Sequence, residues 1–201
     1  MKPPSAPQNS AQNPDEIFDV VDGNDRVVGR ATRAETHRKK LFHRAVHVLV
    51  FDARGNVLLQ KRSAAKDTCP GLFSTSCAGH VDSGEDYAAA AERELREELG
   101  ISVPEGFFGN ESALLRHLPP CEATGFEHVN VYGLGNFTGT PVPNPAEIES
   151  VKWAAPEEVT RALAETPELF AESFRLVWRR LCAPEVLGET MRRIARAGVR
   201  S

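Results

Sequence analysis

The segment that most constrains the fold is 79–101, GHVDSGEDYAAAAERELREELGI, which joins the end of a predicted strand to an amphipathic helix. Ser83 and Asp86 have the spacing of a capping box and predict a helix that begins near Gly84. One side of this helix carries small and apolar residues at helical spacing: Ala88, Ala91, Leu95 and Leu99. Small alanines let a helix lie close to strands, so we expect this helix to pack on a β-sheet.

Three carboxylates occupy the edge of that apolar stripe. Glu94 and Glu98 lie one helical turn apart, and Glu97 lies three residues after Glu94. Like charges at such spacings destabilise an isolated helix by roughly 0.2–0.5 kcal/mol per pair, so we expect a cation to compensate them. Oxygen ligands that converge from one helix suit Mg²⁺ or Mn²⁺, and a solvated acidic helix face is the alternative.

The remaining chain predicts one domain with a mixed sheet between helices, of the α/β (α+β) class. Alternating and β-branched runs predict strands over 16–21, 26–30, 43–52, 56–62, 73–81, 112–118, 127–137 and 148–153. Helices are predicted over 32–40, with Thr32 as a cap and Glu35 three residues on, over 156–165 and over 167–182. We expect a disordered tail over 1–14, the domain over 15–183 and a helical extension over 184–201.

Composition excludes several classes of protein. With 41% hydrophobic residues, 26% charged residues and a net charge of −4, the chain gives no global reason to expect nucleic-acid or membrane binding. It shows no apolar run of membrane-spanning length and no signal peptide, so a cytoplasmic protein is expected. Its four cysteines form no paired spacing that predicts a zinc site or a disulfide framework: Cys69, Cys77, Cys121 and Cys182.

The acidic segment also carries a complete family motif. Gly79, then Glu85, then Arg93-Glu94-Leu95, Glu97-Glu98 and Gly100-Ile101 stand at every fixed position of the Nudix box. The chain therefore resembles the Nudix hydrolases, and the lead-in 70–73 extends a resemblance that covers 16–182. This resemblance implies a Nudix-type α/β/α sandwich that hydrolyses a diphosphate linked to another group. By family frequency, the expected substrate is a nucleoside diphosphate or a nucleoside diphosphate derivative.

The resemblance assigns roles to the motif residues. It implies a divalent metal, Mg²⁺ or Mn²⁺, held by Glu94, Glu97, Glu98 and possibly the Gly79 carbonyl. Arg93 would orient the carboxylates by pairing with Glu85 or Glu97, while Gly84, Glu85 and Gly100 would support the site. Glu98 is our first choice as general base and Glu94 our second. A base from outside the motif stays open, with three candidates: Glu127, Glu147 and Glu149.

Other residues are candidates for contact with the substrate. Lys61 and Arg62 end a strand just before a loop and could bind phosphate, although a solvated pair at the sheet edge is an equal alternative. His80, Phe73 and Glu127 are further candidates for this substrate site. The partner is expected to be a small-molecule diphosphate, and the chain is expected to be a monomer or a homodimer.

The region 43–81, with the EIFDVVD run before it, also resembles the Nudix proteins nearest to isopentenyl diphosphate isomerase. Such an isomerase moves a double bond with a cysteine, a glutamate and a metal held by histidines and glutamates. Positions near that metal site are filled here by His37, His43, His80 and Glu127.

Three departures favour hydrolysis over isomerisation. Ala78 stands where the isomerase has its cysteine, and Cys77, one residue earlier, would point to the opposite face of a strand. Val129 stands where a second glutamate is expected, and the motif that is degraded in the isomerase is intact here. An isomerase and a non-catalytic diphosphate-binding module remain the alternatives.

Overall fold

A computed structural model describes residues 13–182 and 184–196 of the 201-residue chain. Its strands are β1 (Ile17–Val21), β2 (Val27–Thr32), β3 (His43–Asp52), β4 (Val57–Arg62), β5 (Phe73–Ser74), β6 (Cys77–His80), β7 (Leu114–Leu118), β8 (Glu127–Phe137) and β9 (Ile148–Ala154). Its α-helices are α1 (Arg33–Lys39), α2 (Tyr87–Leu99), α3 (Pro156–Glu165), α4 (Glu172–Leu181) and α5 (Pro184–Arg196).

Seven strands form the main sheet around the parallel pair β3 and β8. β7 extends the sheet beside β8, β6 pairs with β3, and β4 carries β5 and β9, all antiparallel. One face of the sheet packs on α2 through Ala90, Ala91, Leu95 and Leu99. The other face packs on α3, α4 and α5 through residues such as Val159, Phe174 and Ile194. The expected α/β/α sandwich is therefore confirmed.

A separate hairpin of β1 and β2 precedes this sheet. It docks through the buried Phe18 ring, which stacks on His43 and His80, and through the Val21 N–H, which donates to the Phe42 carbonyl. α1 follows directly, and the Thr32 hydroxyl accepts the Glu35 N–H as expected for the cap. The hairpin thus brings α1 against the main sheet.

The predicted start of the long helix near Gly84 is wrong. Gly84 has a φ of 82°, outside the helical region, and Asp86 caps the helix by accepting the Ala89 N–H at 2.8 Å. Ser83 instead donates its hydroxyl to Asp19 at 2.7 Å. The cap is consequently Asp86, and the loop before α2 is tied to the hairpin.

Two other predicted elements are interrupted at the same place in the fold. The strand predicted over 73–81 is split into β5 and β6, because the chain changes partner from β4 to β3 between them. The helix predicted over 167–182 contains a 3₁₀ turn, Pro167–Leu169, and α4 starts only at Glu172. Phe170 lies between the two and forms a parallel bridge with Phe73, so this segment is extended.

The C-terminal helix α5 lies very close to β8. A Cβ atom at Gly135 would lie 2.1 Å from the Ile194 carbonyl oxygen, so only glycine fits there without a shift. Arg193 donates to the carbonyls of Leu114 and Leu115 in β7. Most of the expected tail, residues 1–12, lies outside the described residues. None of the helices in the described part of the chain has the length and hydropathy needed to cross a membrane.

Candidate active site

A cavity of about 300 Å³ lies between α1, strands β3 and β6, the second half of α2, the loop 63–72 and the start of α4. Its size is at the lower end of the range typical of small-molecule sites. Unlike most such sites, it is lined by many ionisable side chains: Glu16, Arg33, His37, His47, Arg62, Lys66, Cys69, His80, Glu94, Glu98, Glu122, Glu127 and Glu172. The cavity is therefore suited to a highly charged ligand.

Two carboxylates of α2 line the cavity. Glu94 packs directly on Gly79, where a Cβ atom would lie 2.0 Å from the carboxyl carbon. Glu98 accepts hydrogen bonds from the Gln60 amide at 3.2 Å and the Ala78 N–H at 3.4 Å. Burial raises the pKa of Glu94 to about 7, and burial together with the Glu94 charge raises the pKa of Glu98 to about 8. Burial thus outweighs the Arg93 charge beside Glu94, and the pair can take up a further, divalent cation.

Arg93 links this pair to the loop before the helix. Its guanidinium donates twice to Glu85, at 3.0 and 2.8 Å, and once to Glu94 at 2.6 Å. It also lies 3.6 Å from Glu97, whose side chain is 45% exposed and does not line the cavity. Arg93 therefore contacts both of its expected partners, Glu85 and Glu97, and it orients Glu94 most directly.

Three cations line the cavity, each bound to a neighbour. Arg62 donates to the carbonyl and hydroxyl of Thr68 at 3.0 and 3.1 Å. Arg33 donates to Asp67 at 2.9 Å, and the buried Lys66 pairs with Glu147. The three partners are two carboxylates, Asp67 and Glu147, and the neutral Thr68. A phosphate could replace each of them.

Arg33 and Lys66 were not predicted from the sequence. Lys66 lies in an irregular loop without a pattern, and the position of Arg33, one helical turn before His37, was the only local signal. Two expected contact residues lie elsewhere: Lys61 pairs with Glu149 at 2.7 Å, and the Phe73 ring packs on Phe170 under the Lys152 ammonium. Neither is among the residues that line the cavity.

Three histidines meet at the hairpin end of the cavity. One ring nitrogen of each of His37, His43 and His80 lies within 4.8 Å of the others. The Nε2 atom of His37 is buried without a hydrogen-bond partner, while those of His43 and His80 face the Glu127 carboxylate. Burial lowers the pKa of His80 to about 4, so its ring is neutral, and Arg33 donates to its Nδ1 at 2.9 Å.

Glu127 completes this histidine cluster. One carboxylate oxygen lies 3.1 Å from His80 Nε2 and 3.5 Å from His43 Nε2. Burial alone would raise the pKa of Glu127, but the adjacent His43 and His80 rings outweigh it and lower this pKa strongly. Three imidazoles and a carboxylate are the ligands of a zinc, iron or manganese ion, so this donor set also fits a metal.

Two neighbouring residues of β6 that distinguish a hydrolase from an isomerase, Cys77 and Ala78, lie on opposite faces of the strand. Ala78 lines the cavity, whereas Cys77 is fully buried in the core beneath α2, and that burial raises the pKa of its thiol. Val129 is buried in the core on the other face of the sheet. The described part of the cavity wall therefore contains Cys69, at its other side, but no thiol beside Gly79 and His80.

Comparisons with known proteins bear on this site. The NUDIX domain family matches residues 41–174. The chain is 35% identical, over 81% of its length and 90% of the relative, to isopentenyl-diphosphate Delta-isomerase 2 of Photorhabdus laumondii. It is 34% identical, over 78% of its length and 85% of the relative, to an uncharacterized Nudix hydrolase of Yersinia pestis.

A solved structure is similar over most of both chains. The crystal structure of DR0079 from Deinococcus radiodurans has a TM-score of 0.69 and 28% sequence identity. It covers 82% of the present chain and 98% of its own. The similarity thus includes segments beyond the 41–174 match, on at least one side of it.

Proposed function

The chain belongs to the Nudix family, and on this basis we propose that it hydrolyses a diphosphate linkage in a nucleoside diphosphate or a related nucleoside diphosphate derivative. One observation carries the proposal. The buried carboxylates Glu94 and Glu98 share a cavity with three cations, Arg33, Arg62 and Lys66. The three cations can bind the negatively charged oxygens of a diphosphate. The two carboxylates can bind a metal ion and accept a proton from a water molecule.

Glu94 and Glu98 are the residues that would hold Mg²⁺ or Mn²⁺, with Glu97 and the Gly79 carbonyl as further candidates. The raised pKa values of the two buried carboxylates support this fit, because a nearby cation would let both ionise. When bound, a divalent cation supplies neutralisation of the diphosphate oxygens and favours ionisation of water.

The side chains around the cavity have different roles in this reaction. Arg33, Arg62 and Lys66 bind phosphate oxygens in place of Asp67, Thr68 and Glu147. The oxygen of a water molecule attacks one phosphorus, and the bond from that phosphorus to the bridging oxygen breaks. Glu98, in its ionised form, accepts the proton of the attacking water, because it lines the same cavity as the cations that bind the phosphate.

The histidine cluster favours a second candidate, an isomerase that acts on isopentenyl diphosphate. It unites four residues at positions expected for the isomerase metal, His37, His43, His80 and Glu127, and several relatives carry the isomerase name. Isomerisation also needs a group that exchanges protons with carbon. Because Cys77 faces the core and Ala78 faces the cavity, hydrolysis is the better supported proposal.

A substrate screen tests the proposal. The full chain is incubated with Mg²⁺ or Mn²⁺ and a panel of nucleoside diphosphates, nucleoside diphosphate derivatives and isopentenyl diphosphate. Phosphate and nucleotide release report hydrolysis, and proton NMR reports double-bond migration. We expect metal-dependent release from at least one nucleotide and none from Glu98→Gln, which should still bind it. Glu92→Gln, on the same helix but outside the cavity lining, should retain turnover.

Two results would contradict hydrolysis. Migration of the double bond without release from any nucleotide would favour the isomerase. Binding of a diphosphate without turnover of any compound would favour the binding module.

A further inference from the structure

A second group of imidazoles lies outside the cavity, on β7 and β8. His117 and His128 stack with ring centroids 5.4 Å apart, and His117 Nε2 lies 3.3 Å from His128 Nδ1. His128 is 2% exposed, whereas His117 is open to solvent. Neither residue lines the active-site cavity, and the proposed hydrolysis uses neither of them.

The other nitrogen of each ring is bound to an oxygen. His128 Nε2 lies 2.9 Å from the backbone carbonyl of Asp22, in the turn between β1 and β2. His117 Nδ1 lies 2.8 Å from Asn130 Oδ1, and the amide nitrogen of Asn130 donates to the Tyr132 hydroxyl. Carbonyl oxygens only accept hydrogen bonds, so each of these ring nitrogens carries the hydrogen.

The two facing nitrogens are therefore left with lone pairs. A neutral imidazole has a single N–H, and in both rings it points away from the other ring. Two lone pairs 3.3 Å apart repel each other unless a proton or a metal ion lies between them. Nitrogens bound to one Zn²⁺ at about 2.0–2.1 Å in a tetrahedral site lie about 3.3–3.4 Å apart, so the observed separation fits a shared metal.

The surroundings agree with that interpretation. Histidines that bind metals usually donate their other N–H to a carbonyl or carboxylate, as His117 and His128 do here. The exposure of His117 leaves a path by which an ion and its water ligands can enter.

We propose that His117 Nε2 and His128 Nδ1 form a binding site for a borderline transition metal ion, Zn²⁺ being the representative case. Imidazole nitrogens bind Cu²⁺ and Ni²⁺ as well, whereas Mg²⁺ prefers oxygen ligands. The bound ion joins His117 of the edge strand β7 to His128. Because His128 is also hydrogen-bonded to the Asp22 carbonyl, the ion links this edge of the sheet to the turn of the hairpin. The site is thus independent of whether the cavity hydrolyses a diphosphate.

The competing structure has the Asn130 amide reversed. Its nitrogen would then donate to His117 Nδ1, His117 Nε2–H would donate to His128, and the chain of hydrogen bonds would need no ion. Calorimetric titration of the full chain with Zn²⁺ separates the two. We expect His117→Ala to bind one equivalent fewer than the unchanged protein. Arg116→Ala, the exposed neighbour on the same strand, should bind the full number.

NMR spectroscopy identifies the residues that bind this equivalent of Zn²⁺. In the unchanged protein, the ¹⁵N signals of His117 Nε2 and His128 Nδ1 should shift when Zn²⁺ is added and should not shift with Mg²⁺. The proposal is overturned if His117→Ala binds as many equivalents as the unchanged protein, or if these two signals do not respond to Zn²⁺. Circular dichroism of His117→Ala confirms that any lost equivalent is not due to unfolding.

Discussion

At the scale of single residues, one position along β6 decides which chemical group faces the ligand. Side chains alternate between the two faces of a strand, so Ala78 faces the cavity and its neighbour Cys77 faces the core. The sequence is sufficient to predict this alternation. It does not reveal that Lys66 and Arg33 reach the same cavity, because both positions depend on how a loop and a hairpin dock against distant strands.

The first prediction uses that alternation. Ala78→Cys should place a thiol in the cavity with little loss of stability, because the substitution adds a single sulfur atom beside existing space. Brief treatment with iodoacetamide, followed by peptide mass spectrometry, should find position 78 alkylated. Cys77 in the same peptide should stay protected by its burial. Equal labelling of both positions would show that β6 does not hold this orientation.

The second prediction concerns pH. Unfolded glutamates ionise near their ordinary pKa of 4.5, but Glu94 and Glu98 keep protons in the folded state until pH 7 to 8. The folded protein then binds more protons, so the carboxylate contribution to stability is full below pH 4.5 and is lost as the pH rises. Metal-free protein should lose about 1–2 kcal/mol of unfolding free energy between pH 7.0 and 8.5.

Urea unfolding in EDTA measures this loss. His47 and His80, whose pKa values are lowered to about 4 by burial, are neutral throughout that window and add little to it. Glu16, with a pKa raised to about 7 chiefly by burial, contributes in the same direction as the α2 pair. Glu98→Gln should show a smaller loss. A free energy of unfolding that is independent of pH would contradict the assigned protonation states.

At the scale of helices and strands, local capping signals were sufficient to predict the starts of two helices. The Thr32 cap of α1 and the proline start of α3 follow from sequence alone. The errors over 73–81 and 167–182 both arise from long-range pairing: the chain changes partner from β4 to β3 between β5 and β6, and Phe170 bridges Phe73 almost a hundred residues away. No local propensity encodes such pairings.

The third prediction concerns how the hairpin holds the loop before α2. Asp19 in β1 accepts hydrogen bonds from the Ser83 hydroxyl at 2.7 Å and the Gly84 N–H at 3.1 Å. The same loop carries Glu85, the partner of Arg93. Asp19→Asn should therefore lower both stability, by about 1–3 kcal/mol, and turnover, because Arg93 and Glu94 lose their fixed position.

Asp52→Asn is the matched control for this variant. Asp52 also accepts backbone hydrogen bonds in a turn, from Arg54 and Asn56, but this turn joins β3 to β4 and is not the loop before α2. Urea unfolding and steady-state assays at varied Mn²⁺ should show a comparable stability loss in both variants and a weaker metal activation in Asp19→Asn alone. Equal metal activation in the two would mean that Asp19 has only a structural role.

At the scale of the whole molecule, the cavity extends beyond the segment that matches the family. Glu16, Arg33 and His37 all precede residue 41 and reach the cavity only through the docked hairpin. The acidic half of the site could be predicted from one motif, since Gly79, Glu94 and Glu98 lie within 20 residues of each other. Of the basic half, the sequence pointed only to Arg62, because Arg33 and Lys66 reach the cavity through tertiary contacts.

The fourth prediction concerns the helix that closes the opposite face. Gly135→Ala would place a Cβ atom 2.1 Å from the Ile194 carbonyl, so α5 must move away from β8. We expect a loss of about 1–3 kcal/mol in stability and weaker hydrogen-exchange protection over 184–196, with turnover largely retained. Gly133→Ala meets side-chain atoms of Leu115 and Ile194 at 3.0–3.2 Å and should have a smaller effect. Equal effects at the two positions would contradict this packing.

The span of the cavity also determines when the site can form during synthesis. Its lining starts at Glu16 and ends at Ser173, with members from nearly every segment between them. A ribosome therefore releases the hairpin long before β8 and α4, the last elements that contribute to the cavity lining. The cavity cannot form completely until almost the whole domain has left the exit tunnel. Phe18 has its ring partners His37, His43 and His80 earlier in the chain, so the hairpin can dock before β8 and α4 complete the site.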